Sequence, residues 1–321
     1  MRAAKVLAWA ALAAIGLATP GVADGYPDRS VRMIVAFPAG GTLDVLARIV
    51  SQKLTEQWGQ SVVVENRPGA GGNIGVTAVA TAAPDGYTLH FGAQSLAVNA
   101  TLAPIKGFDP TRDLVPVVLV GTAQDVLMVP PNSPAHSVGE LVALAKTKPG
   151  ALDYASLGSG SSGHLATVLF ADLTGIKLQH VPYSGINQAY TDIFTGRLSL
   201  WISTLGSHLA NIQAGKVRAL AVSGAVRAEE LPDVPTFNEL GVPFVDETSW
   251  YAIFAPRGTP EEIVAKINAD VNRILLLPDV REKQRMFGYR FIGGPPQRLA
   301  DLLRSEIKRW ADVAKSAALA Q

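Results

Sequence analysis

No cysteine occurs anywhere in the 321 residues. Disulfides, thiolate metal sites and a thiol nucleophile are thereby excluded, as is a lipid-bearing cysteine behind a leader peptide. A chain of this length can bury enough apolar surface to fold without cross-links. Charge is also sparse: charged residues make up 17% of the chain against 48% hydrophobic, with a formal net charge of +1. This is a globular composition. No basic run and little aromatic–basic interleaving are present, which argues against a nucleic-acid partner. No apolar run reaches the roughly 20 residues that a membrane span needs. The histidines, at 90, 136, 164, 180 and 208, show no i, i+4 pair and no adjacent carboxylate set, so no metal is expected. No glycine loop ends in Gly-Lys-Ser/Thr, so a P-loop is absent and no cofactor is implied.

What is present begins with a leader. Arg2 and Lys5 precede the apolar run Val6 to Leu17, and Gly21-Val22-Ala23 offers a small-x-small cleavage site. That order reads as a secretory signal peptide over residues 1–23, cut before Asp24. Its removal takes the balance from 28 basic and 27 acidic residues to 26 and 27. A soluble, freely diffusing mature protein is expected.

From residue 30 onward, strand-like and helix-like segments alternate. Val31 to Phe37 is a β-branched apolar run, then Pro38-Ala39-Gly40-Gly41 breaks it. Leu46, Ile49, Val50 and Leu54 follow at helical spacing. The same grammar recurs around 61–91, 114–156 and 164–222, with short glycine loops between strand and helix, and implies parallel βαβ units. Leu114 to Val129 reads as strand crossed by Gly121, and Ser137 with Glu140 as a capping box. After Trp250 to Phe254, helices are expected at 260–276, 279–287 and 296–316, with no further strand between them. The reading is an α/β chain in two lobes with a hinge and a cleft between them. Lobe 1 takes residues 24–125 and 247–321 and lobe 2 takes 126–246, with crossovers near 123–127 and 245–250.

Three of the glycine loops follow strands and open helices. Such loops let the backbone approach a ligand, and a helix N-terminus offers unpaired N–H groups with partial positive charge. They suit a carboxylate or phosphate, although tight βα turns need glycine anyway. Gly158 to Gly163 matches G-x-G-x-x-G, but no acid lies about twenty residues on to hold a ribose. Nor is it a nucleophile elbow: His164 stands where G-x-S-x-G needs glycine, so Ser161 or Ser162 with His164 makes a poor hydrolase. Asp44 and Arg48, four apart on one helix, form a pair worth only a few tenths of a kcal/mol. Trp201 and Trp250 read equally as core or as cleft wall.

Several segments together carry a resemblance. Val31 to Asp44 (VRMIVAFPAGGTLD), Val64 to Gly75 (VENRPGAGGNIG) and Pro84 to Leu89 (PDGYTL) open it. His164-Leu165-Ala166, Val181 to Gly185, Leu220-Ala221-Val222, Val234-Pro235-Thr236 and Ala255 to Pro260 continue it in order. The chain resembles the Bug family, the substrate-binding components of tripartite tricarboxylate transporters. The resemblance implies a two-lobed, Venus-flytrap, periplasmic binding protein, monomeric and not an enzyme, that serves the membrane subunits of such a transporter. A sensor passing its closed form to a membrane signalling partner would use the same pocket. The implied ligands are di- and tricarboxylates, acidic amino acids or aromatic acids. It further implies that the loop Phe37 to Asp44 and the loop Gly158 to His164 pinch one carboxylate, partly through water. Ala39, Gly40 and Gly41 would present backbone groups, Ser159, Ser161 and His164 would answer from the other lobe, and Tyr183 would form a wall. Gln94, Ser95 and Thr204 are further candidates. The chain departs from the pattern at Leu43, where a small hydroxyl residue is common, and at Ser184, where lysine is common.

Overall fold

The computed structural model describes residues 25–159, 161–243 and 249–316. The leader with its cleavage site, and much of the second expected crossover, lie outside the described residues.

The chain opens with β1 (Val31–Val35), α1 (Thr42–Trp58), β2 (Val62–Asn66), α2 (Asn73–Ala80), β3 (Thr88–Ala93) and α3 (Ser95–Leu102). Next come α4 (Pro110–Asp113), β4 (Leu114–Ala123), β5 (Asp125–Val129), α5 (Val138–Thr147), β6 (Asp153–Ser156) and α6 (Ser162–Thr174). The middle closes with β7 (Gln179–Pro182), α7 (Ile186–Phe194), β8 (Trp201–Thr204), α8 (Leu205–Gln213) and β9 (Arg218–Val222). The last part is β10 (Ser249–Pro256), α9 (Glu261–Ile274), α10 (Pro278–Phe287), β11 (Tyr289–Phe291) and α11 (Pro296–Ser316).

Two α/β lobes result. The first has a sheet ordered β11-β4-β10-β3-β1-β2. Its β1, β2 and β3 are parallel, whereas β10 runs antiparallel between β3 and β4. The second has an antiparallel β8-β5-β9 sheet. The parallel pair β6-β7 joins it through a bridge from Tyr154 to Leu200. The expected parallel units are therefore found at β1-β2, β1-β3 and β6-β7, and the antiparallel pairings of β10 and of β8-β5-β9 are a correction: hydrophobic runs showed where strands lie, not which neighbour each would find. The run Leu114 to Val129 is two strands, β4 and β5, which part at Gln124 and enter different sheets. β11 is a second correction. This three-residue strand does separate the last helices, and it pairs antiparallel with β4. It starts after Gly288, whose positive φ of 61° ends α10, and was too short to show in the sequence pattern.

Apolar faces hold the helices. α1 buries Leu46, Ile49, Val50 and Leu54 against Met33, Phe91 and Ile253 of the large sheet. Each such side chain contributes about 1.5–3 kcal/mol, far more than the Asp44–Arg48 pair, so that pair is not what keeps the helix in place. The opposite face of the sheet packs Ile34 and Phe254 against Leu299, Leu303 and Trp310 of α11. In the second lobe Leu127, Phe170, Ile202 and Phe237 form one core, and Met128, Ala189 and Trp201 another. Trp201 and Trp250 are both 1% exposed and belong to the core.

The lobes meet at the hinge and across the cleft. At the hinge, buried Ser249 donates to Asp125 Oδ1 at 2.9 Å, tying β10 to the start of β5. Across the cleft, Leu165 of α6 joins the apolar cluster of Val76, Leu96 and Val98.

Candidate functional site

Four helices begin at one small cavity between the lobes. α1 brings Gly41, Thr42 and Leu43, and α3 brings Gln94 and Ser95. From the second lobe, α6 brings its N-cap Ser161, and the end of β8 with the first turn of α8 brings Ser203, Thr204 and Ser207. Tyr251 of β10 and Ile186 complete the wall, and the volume is about 70 Å³. None of the four N-caps (Gly41, Gln94, Ser161 and Thr204) closes its own helix with a side-chain hydrogen bond. The first-turn N–H groups of four helices are thus not capped by their own N-cap side chains.

The side chains add to this. Gln94 is 1% and Ser161 5% exposed. Among the described residues, neither amide atom of Gln94 nor the Ser161 hydroxyl has a hydrogen-bond partner. Burying such groups without partners costs about 1–3 kcal/mol each, so their arrangement points to a polar guest. No lining residue is charged. Positive potential therefore comes from helix ends and N–H groups, a setting that favours a small anion.

A larger chamber of about 970 Å³ opens outward from this cavity. Phe37, Pro38 and Leu157 line both and form the neck. The β2–α2 loop, Pro68 to Asn73, supplies one wall, with Asn99, Leu102 and Ala103 from the end of α3. Gly158, Ser159, His164, Leu165, Val168, Tyr183 and Ser184 supply the other. The volume is at the upper end of the roughly 300–1,000 Å³ usual for small-molecule sites.

The histidine in that wall is neutral near pH 7. His164 and His180 have ring centroids 4.4 Å apart, with Tyr154 stacked on His180 at 5.0 Å. Burial, then the neighbouring His180, lowers the His164 pKa to about 4. His180 Nε2 is 2.6 Å from the hydroxyl of buried Ser156.

A buried carboxylate shapes the first loop. Asp44 accepts from the Gly40 N–H at 3.0 Å, from Arg48 Nε at 2.9 Å and from Asn66 Nδ2 at 2.9 Å. Asn66 Nδ2 also donates to the Phe37 carbonyl at 3.0 Å. Burial would raise the Asp44 pKa, but the bonds from Arg48, Gly40 and Asn66 more than offset it and hold the carboxyl below its ordinary value.

Of the residues expected at the site, Gly41, Gln94, Ser95, Ser161 and Thr204 line the inner cavity, Ser159, His164 and Tyr183 line the outer chamber, and Phe37 lines both. Ala39, Gly40 and Asp44 line neither. The Gly40 N–H donates to Asp44. Asp44 braces the loop from behind. Sequence reasoning missed Thr42, Ser203, Ser207, Tyr251 and Leu157. It also passed over helices α3 and α8, whose N-termini point at the cavity. Ser161 forms no hydrolase pair, because among the described residues its hydroxyl has no hydrogen-bond partner; the side chain of Ser162, the other serine of that reading, lies outside the described residues.

The chain resembles known proteins over almost its whole length. The family of tripartite tricarboxylate transporter receptors matches residues 46–319. The protein BugT of Bordetella pertussis is 38% identical over 306 residues, covering 95% of this chain and 94% of BugT. An R. palustris protein solved with adipate superposes with a TM-score of 0.86 at 38% identity, covering 91% of this chain and 98% of that one. MatC of Rhodopseudomonas palustris, solved with bound malate, gives 0.85 at 33% identity, covering 90% and 99%. Fold, cleft and sequence agree: the chain belongs to the tripartite tricarboxylate transporter receptor family, as a two-lobed solute-binding protein of the Bug type and not an enzyme.

Proposed function

We propose that this protein captures a small carboxylate in the periplasm and presents it to the membrane subunits of a tripartite tricarboxylate transporter. The observation that carries the reading is the buried, uncharged inner cavity, where four uncapped helix N-termini meet the unpartnered side chains of Gln94 and Ser161. An anionic head of carboxylate size fits that chemistry. Gly41, Gln94, Ser95, Ser161 and Thr204 surround the head, while Phe37, Ser159, His164 and Tyr183 face the rest of the ligand. The adipate and malate held by two relatives support the ligand class.

The lobes divide at residues 125 and 247 in this reading, and closure turns about both crossovers. Export with cleavage after Ala23 delivers a monomer to the periplasm. A thermal-shift screen of small carboxylates, each beside the alcohol of the same skeleton, tests the reading. A ligand at a hundredfold excess over its dissociation constant adds about 2.7 kcal/mol. Carboxylates should raise the melting temperature and alcohols should not; a shift with alcohols alone would contradict the proposal.

A further inference from the structure

The two chambers differ in what they leave free. In the inner cavity, Gln94 and Ser161 have no partner among the described residues. In the outer chamber, most of the polar side chains already hold partners. Asn99 Nδ2 donates to the Gly71 carbonyl and to Asn73 Oδ1, both at 2.9 Å. Asn73 Nδ2 donates to the Ala103 carbonyl at 2.8 Å. Tyr183 gives its hydroxyl proton to Asp192 at 2.8 Å, and Ser184 gives its own to Gln188 at 3.0 Å. Ser159 lies exposed at the mouth.

Charge follows the same division. No Lys, Arg, Asp or Glu lines the outer chamber, and His164 is neutral near pH 7. The ionised group behind the Tyr183 wall is Asp192, an anion already paired with Arg197 at 3.4 Å. A second carboxylate in the chamber would face apolar Phe37, Leu102, Leu157, Leu165 and Val168. It would lose hydration there without gaining a cation.

We infer that the ligand bears one carboxylate on an uncharged, predominantly apolar body, with the carboxylate in the inner cavity and the body in the outer chamber. This rests on the carboxylate reading above and narrows it. Tricarboxylates and acidic amino acids are then poor ligands, and aromatic or aliphatic monoacids good ones.

Calorimetry with the full mature protein tests it on two skeletons, adipate and terephthalate, each as the diacid, the monomethyl ester and the dimethyl ester. The monoester should bind at least about tenfold more tightly than its diacid, the factor expected when one polar group is left unmatched. The dimethyl ester should not bind. A diacid that binds as tightly as its monoester overturns the inference while leaving the carboxylate reading intact. Failure of every acid on both skeletons overturns the carboxylate reading as well. A second arm uses Ser184→Lys, a change at an exposed position of the chamber wall. It should move the ratio toward the diacid by about tenfold; an unchanged ratio would overturn the placement of the ligand's body in the outer chamber.

Discussion

Thr42 and Ser207, 165 residues apart in sequence, share a 2.6 Å hydrogen bond between their hydroxyls across the cleft. One lies in the first turn of α1 and the other in the first turn of α8, so the bond joins the two lobes at the rim of the inner cavity. Thr204 and Tyr251 make a longer version of the same link at 3.3 Å. The lobes are therefore closed on one another in this structure, and both links lie beside the cavity they enclose.

Replacing either partner of the first link should loosen the closed state. A neutral hydrogen bond contributes about 0.5–1.5 kcal/mol net, so Thr42→Val or Ser207→Ala should weaken ligand affinity roughly two- to tenfold. Solution scattering should show a larger radius of gyration for the ligand-free variants than for wild type. Equal radii together with equal affinities would mean that the link carries no closure energy.

Gly71 limits closure by shape. A Cβ there would stand 2.9 Å from the Ser159 carbonyl oxygen of the opposite lobe. Its φ of 64° also favours glycine. Gly40 has a φ of 87°, but a methyl group at that position would meet no atom within 4 Å. Both Ala variants should lose about 1 kcal/mol of stability from backbone strain. Only Gly71→Ala should also lose affinity, by tenfold or more on the closure argument. Similar affinities for the two variants would rule out the steric role.

Acid should destabilise the fold well before the carboxylates titrate. Burial lowers the pKa of His90 to about 4 and of His208 to about 3, and His164 falls to about 4. Unfolding returns each to an ordinary value near 6.5. Below that pH the unfolded chain binds protons that the folded chain does not, so stability falls as pH drops from about 6.5 toward 4. At still lower pH, the depressed carboxyl of Asp44 adds a further loss as it takes up its proton. Urea unfolding from pH 7.5 to 4.5 should show the decline, and His208→Gln should make it shallower. A midpoint that stays constant across that range would contradict it.

Much of the fold could be read from residues that must be buried. The β-branched run at Val31 and the helical spacing after Leu43 place β1 and α1, and the glycine loop between them places the first wall of the cleft. Local pattern does not choose partners, which is why β10 enters the large sheet antiparallel without a sign in its own sequence. The candidate site was legible where a glycine-rich loop opened a helix, as at Gly41 and Ser161. Ser207 and Tyr251 were not legible, because each gains its meaning from a residue of the other lobe. Tyr251 sits in the apolar run Ser249 to Pro256, where an aromatic reads as core. The bond from the Gly40 N–H to Asp44 was not legible either, because it is set by the fold of the loop and not by spacing alone.

The most direct test of the central claim, that the inner cavity holds a carboxylate, is calorimetric titration of Gly41→Val beside wild type. Gly41 has a φ of −80° and a ψ of 169°, a conformation that valine adopts without strain. A Cβ at this position meets only Leu157 Cδ1, at 4.0 Å, and both residues line the cavity. The valine side chain should therefore fill the anion's place and leave the rest of the fold untouched. Two lost charge-assisted hydrogen bonds, at roughly 1.5–3 kcal/mol each, correspond to a loss of about 100-fold or more. The account predicts an unchanged ligand-free melting temperature and no measurable binding of the acid that wild type takes up. A folded Gly41→Val variant that binds this acid as tightly as wild type would place the carboxylate elsewhere and contradict the account.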